Sequence, residues 1–256
     1  MYSEEGDFVN LEVKNKSKTD LDSDFCDIII NEELVLNELN KMKVNKSGGP
    51  DGLTTNFLTK IKLAIAKPLT YLFNESLNSG IVPEQWKEAL VTPLFKKGKK
   101  NSVTNYRPIS LTSQVGKLLE KIIKNSVSVY LESNNLISEA QHGFRKGKST
   151  KSNLLEFQNV LYKLVDDKKA VDVVYVDLQK AFDKVPHNKL LFKLKEIGIK
   201  GKLLNWVGNW LSNRTHKVKY RGAVSDTVKV KSGVPQGSVL GPILFLIYIN
   251  DIEEKI

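Results

Sequence analysis

Cysteine is almost absent from this 256-residue sequence, and no hydrophobic run is long enough to cross a membrane. Cys26 is the single cysteine, which excludes a disulfide framework and a cysteine-based zinc site. The longest apolar stretch, near residues 239–249, is far shorter than the roughly 20 residues of a spanning helix, and Pro242 interrupts it. Residues 1–10 lack the basic and apolar regions of a secretory signal. We therefore expect an intracellular protein with no membrane partner.

The charge of the chain is positive and unevenly distributed. Its 39 Lys and Arg exceed its 29 Asp and Glu, which gives a formal net charge of +10. Eight of the acidic residues and only three of the basic ones fall within residues 1–30, so the rest of the chain carries a net charge of +15. Such an excess on a folded body is typical of a polyanion partner, most commonly nucleic acid, although evenly spread charge also serves solubility.

Apolar spacing divides the chain into a polar start and a helix-rich body. Residues 1–30 show no hydrophobic period and are interpreted as an acidic tail or linker. Trp206 and Trp210 are four residues apart on one helix face, and we expect both in the core. Apolar residues recurring at intervals of three and four predict helices over about 31–42, 57–79, 113–132, 152–166 and 188–212.

Two runs have the signature of buried strands. Residues 89–95 form a short strand-like run, and residues 171–178 (VDVVYVDL) are nearly continuous in β-branched residues, as expected of a strand buried on both faces. Asp177 stands at the end of the second run. A carboxylate in that place can hold a metal ion rigidly, although an Asp there is more often a cap or turn residue.

A third region predicts a hairpin. Residues 217–221 and 228–231 alternate with period two on either side of a polar, glycine-containing stretch. Lys217 and Lys219 share one face of this hairpin. Like charges placed side by side reduce stability unless an anion lies over them, so these lysines either contact phosphates or are simply solvated.

Two loops have the composition of anion sites. Residues 232–242 (SGVPQGSVLGP) precede an apolar helix, and glycines at a helix start allow an anion to approach the backbone. Residues 96–100 (KKGKK) form a basic turn that is followed by Arg107, and the two together could clamp a triphosphate. Each loop by itself is also consistent with an ordinary turn or a solvated surface.

Five short blocks stand in a fixed order along the chain. They are KSGGPDG (46–52), YRPISL (106–111), QHGFR (141–145), DLQKAFD (177–183) and GVPQGSVLG (233–241), with Asn250-Asp251-Ile252 after the last. Together, from about Glu32 to the end, they resemble the reverse transcriptases of non-LTR (LINE-like, jockey-like) retrotransposons. The resemblance implies an RNA-directed DNA polymerase that extends a DNA primer on an RNA template from deoxynucleoside triphosphates.

The resemblance also implies roles for individual residues. Asp177 is similar to the catalytic Asp that binds both Mg²⁺ ions, with Mn²⁺ as the alternative, in the family's two-metal displacement at phosphorus. Asp183 lies in the same block and is interpreted as a turn or structural residue. Residues implied to bind the triphosphate or to pack on the sugar and base, with Phe182 as the steric gate against a ribose 2′-OH, are Arg107, Lys97, Phe182, Gln236 and Gly237. Candidate nucleic-acid contacts, including the hairpin lysines, are Gly49, Asp51, Gly52, Arg145, Lys146, Lys217 and Lys219.

For the fold, the resemblance implies an α+β protein of right-hand polymerase architecture, with helix-rich fingers and an incomplete palm sheet. We expect an acidic tail over 1–30, a fingers-like region over 31–170 and a partial palm over 171–256, without thumb or endonuclease. The family's Asp-Asp motif is expected after the Gln236 loop, whereas the only adjacent Asp pair stands at 166–167. We therefore expect a polymerase fragment that is inactive by itself.

Two other functions stay open at this stage. The chain could be a remnant that binds RNA without catalysis, and, as a weaker alternative, it could be a maturase-like reverse transcriptase, because those proteins share the catalytic blocks. For the intact parent, the resemblance implies a ribonucleoprotein in the cytoplasm with access to the nucleus.

Overall fold

The computed structural model describes residue 25 and residues 27–252, which have mixed α and β content, as predicted. Within them the helices are α1 (Glu32–Asn40), α2 (Thr55–Lys60), α3 (Lys62–Ser79), α4 (Glu84–Lys87), α5 (Gln114–Ser133), α6 (Thr150–Asp166), α7 (His187–Glu196), α8 (Gly201–Leu211) and α9 (Gly241–Ile249). The strands are β1 (Glu88–Phe95), β2 (Tyr106–Leu111), β3 (Thr215–Tyr220), β4 (Ala223–Val224) and β5 (Val228–Lys229), and 3₁₀ turns cover Val103–Asn105 and Ala181–Lys184. No helix of this part of the chain is both long and apolar enough to cross a membrane.

Local sequence signals set several helix ends. The Asn31 side chain accepts a hydrogen bond from the Leu34 backbone N–H and caps α1, and Ser149 caps α6 in a capping box with Ser152. α3 ends at Gly80, whose positive φ of 69° is the left-handed conformation that glycine adopts most easily. The helical region predicted over 57–79 is divided into α2 and α3 at Ile61, and Pro68, where the sequence predicts a kink or boundary, lies inside α3.

The strands form one sheet in the order β2-β1-β3-β4, with β5 also pairing with β3. β1 is antiparallel to β2 and parallel to β3, so that Arg107 lies beside Leu94 and Lys217 beside Leu90. Paired residues point to the same face of a sheet, and every second residue along a strand shares that face. Arg107, Lys217 and Lys219 therefore lie on one face, on strands that flank β1.

The predicted hairpin is confirmed, with its return strand in two pieces. β4 pairs with the end of β3 through Tyr220 and Ala223, and β5 pairs with its beginning. The two residues of the connecting turn, Arg221 and Gly222, both have positive φ, 51° and 88°, as a type I′ turn requires. The turn holds Arg221 at the exposed tip of the hairpin.

Nearly all of the buried apolar side chains form one cluster that extends along the sequence from Ile30 to Ile247. Trp206 and Trp210 are almost fully buried in it, so their predicted core role is confirmed. The Trp206 indole N–H donates to the Ser76 hydroxyl at 2.9 Å, which satisfies its polar atom. Residues on both sides of position 170 share this cluster, and the division into fingers and palm stays a prediction.

The strand predicted over 171–178 is wrong for this structure. These residues adopt no regular secondary structure, and Val174 and Tyr175 are 84% and 83% exposed. A β-branched run becomes a buried strand only when neighbouring strands supply hydrogen bonds and side-chain contacts. No strand among the described residues pairs with this run, and helix α6 before it has no buried residue.

The prediction that the acidic tail extends to residue 30 is wrong at its C-terminal boundary. Phe25 forms an isolated bridge with Ile199, and its ring stacks on that of Tyr130 at a centroid distance of 4.9 Å. Ile30 is buried in the core. The last residues of the expected tail therefore pack on the folded body, and residues 1–24 and 26 lie outside the described residues.

Candidate nucleotide and nucleic-acid site

The 3₁₀ turn of Ala181–Lys184 is hydrogen-bonded to the glycine-rich loop that follows β5. The Val234 N–H donates to the Phe182 carbonyl and the Gly233 N–H to the Val185 carbonyl, each at 2.8 Å. A Cβ at Gly233 would lie 2.7 Å from the backbone of Asp183, and its φ is +90°. Only glycine fits at this position without a shift of the backbone. Backbone hydrogen bonds thus join the segment at the end of the DLQKAFD block to the GVPQGSVLG block.

A side-chain bond and a backbone bond extend this contact to the edge of β2. The Gln236 side-chain amide donates to the Asp183 carboxylate at 3.1 Å, and the Gln236 carbonyl accepts from the Ser110 N–H at 2.9 Å. Gly237, with φ +113°, packs so closely that a Cβ would lie 2.6 Å from the Ser110 carbonyl oxygen. The GVPQGSVLG block therefore contacts both the DLQKAFD block and the YRPISL block. Asp183 has the structural role expected for it.

The two predicted triphosphate contacts lie on the hairpin of β1 and β2. Arg107 is exposed on β2, and Lys97 is exposed in the connecting turn. The turn is held by hydrogen bonds from the Asn105 side chain to the Lys99 carbonyl and from the Tyr106 hydroxyl to the Lys100 carbonyl, both 2.9 Å long. Neither cation forms an ion pair with another described residue, so both charges are accessible to an anion.

Phe182, the predicted steric gate, is half-buried between two other aromatic rings. Its ring stacks on Phe245 of α9 at a centroid distance of 4.6 Å, and Phe144 meets it edge to face at 6.2 Å. Phe144 is 61% exposed and has a positive φ of 59°, which is rare for a bulky residue. Sequence reasoning gave Phe144 no role, although it lies within the QHGFR block.

Arg145 is occupied by acceptors of the protein. Its guanidinium donates to the Glu132 carboxylate through two nitrogens, to Glu139 and to the Ser138 carbonyl, and only 8% of its side chain is exposed. The hydrogen bonds to Glu132 are the main cause that raises the pKa of Arg145. These contacts favour a structural role over a phosphate contact. Lys146 is exposed beside it.

The histidine of the same block ties the loop to a second helix. The two ring nitrogens of His142 lie 2.9 Å from the Ser152 hydroxyl and 2.8 Å from the Glu156 carboxylate, both on α6. Because His142 contacts α6 and Arg145 contacts Glu132 of α5, the loop between these helices is fastened on both sides of Phe144.

Asp177 does not lie within a carboxylate cluster. It is exposed and outside any strand, and the carboxylate of Asp183 is engaged by Gln236. Among the described residues, no group of three or more His, Cys, Asp or Glu side chains is placed to hold a metal ion. A two-metal site needs several oxygen ligands around both ions. The described residues therefore do not fit such a site, and the Mg²⁺ role of Asp177 stays a prediction.

Most of the remaining predicted nucleic-acid contacts border one open cleft. The loop of residues 46–52 contributes Gly49 and Gly52, and the hairpin contributes Lys219 and Arg221, around a volume of about 460 Å³. The Asp51 carboxylate accepts from the Leu53 N–H at 3.1 Å and shapes the loop. Lys217 is exposed on the same sheet face as Lys219.

The buried Glu120 supports the Gln236 loop, with the buried Arg214 bonded to the chain nearby, and sequence reasoning missed both. The Glu120 carboxylate accepts from the Val239 and Leu240 N–H groups, at 2.7 and 3.2 Å, and from the Trp210 indole. Arg214 donates to the Trp210 and Trp86 carbonyls, and burial lowers its pKa to about 10. The available signal was a Glu at core-facing spacing in the amphipathic helix α5.

Comparisons with known proteins agree with these blocks. Residues 96–256 match the family model described as "Reverse transcriptase (RNA-dependent DNA polymerase)". The chain is 31% identical over 221 residues to the "Probable RNA-directed DNA polymerase from transposon BS" of Drosophila melanogaster. It is 32% identical over 221 residues to the "RNA-directed DNA polymerase from mobile element jockey" of the same species. Each match covers 86% of this chain and 24% of the relative, so the chain spans about a quarter of their length.

Two further similarities are more distant. The Pol polyprotein of "type-1 retrotransposable element R2" of Popillia japonica is 28% identical over 205 residues, which are 80% of this chain and 28% of that protein. Among solved structures, a chain of a "Partial Cas6-RT-Cas1--Cas2 complex" is 19% identical, with a TM-score of 0.45, over 89% of this chain and 34% of that one.

Proposed function

This chain belongs to the reverse transcriptase family of non-LTR retrotransposons, and we propose that it binds the incoming nucleotide and the template for RNA-directed DNA synthesis. The observation that best supports the proposal is that the 233–237 loop is hydrogen-bonded both to the 181–184 turn and to β2. Residues with separate predicted roles at the sugar, the base and the triphosphate are thereby held on one connected framework.

In this proposal, the framework fixes the nucleotide before any chemistry. Arg107 on β2, together with Lys97 in the turn that precedes it, offsets the triphosphate charge, because exposed guanidinium and ammonium groups form charge-assisted bonds to phosphate oxygens. Phe182 forms the wall against the ribose 2′-position, with Phe245 behind it. Gln236 is oriented by Asp183, and Gly237 allows the loop that carries Gln236 to pack against the backbone of Ser110.

The proposal includes the right-hand arrangement, with residues 31–170 as fingers and 171–256 as part of the palm. Reverse transcriptases use divalent metal ions, and the described residues do not by themselves form a two-metal site. The exposed position of Asp177 favours a second candidate function, in which the chain binds RNA and nucleotides without extending a primer. The two candidates share the same binding residues and differ only in catalysis.

Stabilisation of a ternary complex tests the nucleotide site. The chain is bound to an RNA template with an annealed, chain-terminated DNA primer, and the complex is challenged with excess competitor RNA. We expect the next complementary deoxynucleotide to slow dissociation, the matching ribonucleotide to have less effect, and Arg107→Gln to remove the response. Lys67→Gln, which removes an exposed charge from α3, is the matched control. A response that survives in Arg107→Gln, or none in the unaltered chain, contradicts the proposed nucleotide site.

A further inference from the structure

Glu120 of α5 is a buried carboxylate that lies at the start of a different helix, α9. It is 2% exposed, and one of its oxygens accepts from the Val239 N–H at 2.7 Å and from the Leu240 N–H at 3.2 Å. Leu240 directly precedes α9 and has no side-chain atom that can cap a helix. Glu120 therefore serves as the cap, and its charge lies at the helix end that favours an anion. The anion that a glycine-rich helix start can accept is here supplied by the protein itself.

The residues that Glu120 holds are joined to Gln236 by a tight turn. The Ser238 hydroxyl donates to the Pro235 carbonyl at 2.9 Å and accepts from the Gly241 N–H at 3.0 Å. A Cβ at Gly241 would lie 2.6 Å from the Ser238 hydroxyl, so the turn is closely packed on itself. Because the turn is fixed on both sides of Ser238, a shift at the residues bonded to Glu120 also moves Gln236.

The second oxygen of Glu120 is bonded to the core. It accepts from the Trp210 indole N–H at 3.1 Å. The Arg214 guanidinium lies 4.9 Å from the centre of the Trp210 ring and donates to the Trp210 and Trp86 carbonyls, at 2.9 and 3.3 Å. Burial lowers the pKa of Arg214 to about 10, and the charge of Glu120 opposes this lowering. Glu120 thus connects the core through one oxygen with the loop through the other.

We propose that Glu120 is a positioning residue for nucleotide binding, and that it acts by holding the Gln236 loop through the Val239 and Leu240 N–H groups. The inference rests on the proposed function for the role of Gln236 at the incoming nucleotide. Glu120 is too deeply buried to contact a ligand itself, so its effect on nucleotide binding passes through the loop. Both of its oxygens are needed as acceptors, and only a carboxylate provides two.

Glu120→Gln keeps the shape of the side chain and removes one of the two acceptors, so either the Trp210 indole or the loop loses its partner. In the ternary-complex measurement, we expect this variant to need about tenfold more of the next deoxynucleotide for half of the full effect. RNA binding without nucleotide should not change. Glu38→Gln is the matched control, because Glu38 is also 2% exposed but pairs with Lys41 and Lys121. An unchanged response in Glu120→Gln, or an equal loss in Glu38→Gln, overturns the inference.

A double-mutant cycle tests the contact on both sides of the carboxylate. Trp210→Phe removes the indole N–H, so the amide introduced by Glu120→Gln can turn its oxygen to the loop without facing another donor. In the Trp210→Phe background, Glu120→Gln should therefore have little further effect on the nucleotide response. A further loss of about tenfold in that background overturns the proposed mechanism.

Hydrogen exchange separates this inference from the proposed function, because it requires no nucleotide. The Ser110 N–H donates to the Gln236 carbonyl at 2.9 Å, so its protection reports whether the loop is in place. We expect Glu120→Gln, and not Glu38→Gln, to reduce this protection.

The two measurements fail in different ways. If the unaltered chain shows no nucleotide response, the proposed function fails; reduced protection at Ser110 in Glu120→Gln then still supports the hold on the loop, and unchanged protection overturns it. If the response is lost in Arg107→Gln and is unaffected in Glu120→Gln, the inference fails and the proposed nucleotide site stands.

Discussion

The side-chain amide of Gln236 donates a hydrogen bond to the carboxylate of Asp183 over 3.1 Å, and so joins two segments that are 53 residues apart in the chain. The Ser232 hydroxyl donates to the Asp183 carbonyl at 3.0 Å in the same contact. Asp183 thus holds the 232–236 segment through its carboxylate and its carbonyl, whereas Asp177, in the same sequence block, is exposed. Two aspartates of one motif therefore have different physical roles.

Asp183→Ala should lower the free energy of unfolding by about 1–2 kcal/mol, because it removes a charge-assisted hydrogen bond and leaves the Gln236 amide without its acceptor. Asp177→Ala, an exposed replacement, should change it by less than about 0.5 kcal/mol. Urea unfolding followed by tryptophan fluorescence measures both. Equal losses in the two variants would show that Asp183 does not have the structural role assigned to it.

Gly233→Ala should be strongly destabilising, because a Cβ would lie 2.7 Å from backbone atoms of Asp183. Gly147→Ala is the matched control: its φ is also positive, at +79°, but a Cβ there would meet nothing within 4 Å. The control isolates the conformational cost, about 1–2 kcal/mol. Thermal unfolding should rank Gly233→Ala well below Gly147→Ala, and similar melting temperatures would argue against the close contact.

Arg145→Gln should cost about 2 kcal/mol of stability, a value between those of exposed and buried ion pairs, since it leaves Glu132 without this partner, whereas Glu139 keeps its ion pair with Lys148. The salt dependence of RNA binding should not change, because the guanidinium is already occupied. Lys146→Gln is the exposed neighbour for comparison. A reduced salt slope in Arg145→Gln with unchanged stability would restore the predicted phosphate contact.

Stability should fall as the pH drops below about 6.5, and His216 should account for part of the loss. Burial lowers the pKa of His216 from its ordinary value of about 6.5. In the window between that value and the lower folded pKa, the unfolded chain binds more protons than the folded one, so acid favours unfolding. Melting temperatures at pH 7.5 and 5.5 should differ less in His216→Gln, and an unchanged difference would reject this cause.

Phe144→Leu should weaken discrimination between deoxynucleotide and ribonucleotide in the ternary-complex measurement. The ring of Phe144 meets the edge of Phe182, and removing it frees one side of the predicted gate. Phe182→Ala should have the larger effect. If Phe182→Ala abolishes discrimination and Phe144→Leu leaves it unchanged, the gate is limited to Phe182 and its stack on Phe245.

Sequence reasoning succeeded where neighbouring residues determine the structure. The β3–β4 hairpin follows from alternation and a turn that contains Gly222, and the core positions of Trp206 and Trp210 follow from helical spacing. It failed where the outcome depends on distant partners. The 171–178 run has strand composition but no strand beside it in the described chain, and composition cannot reveal that.

The sequence identified the residues of the site better than it identified the contacts between them. The blocks that contain Asp183, Gln236 and Arg107 were identified, yet nothing local indicates that a carboxylate would fasten the Gln236 loop. Arg145 was assigned to nucleic acid from the resemblance of its block to the family. The sequence does not show that the loop folds so as to bring Glu132 and Glu139 to its guanidinium. Glu120 was missed because charged residues are rarely buried unless paired.

Primer extension is the most direct measurement of the central claim, that this chain binds template and nucleotide without a complete two-metal site. The chain as it stands is given an RNA template, a labelled DNA primer, deoxynucleotides and Mg²⁺. We predict salt-sensitive RNA binding and no extension of the primer. We also predict a ternary complex that the next deoxynucleotide stabilises and that loses this stabilisation in Arg107→Gln. Extension that disappears in Asp177→Ala would contradict the account, since it would require other carboxylates to join Asp177 around the metal ions.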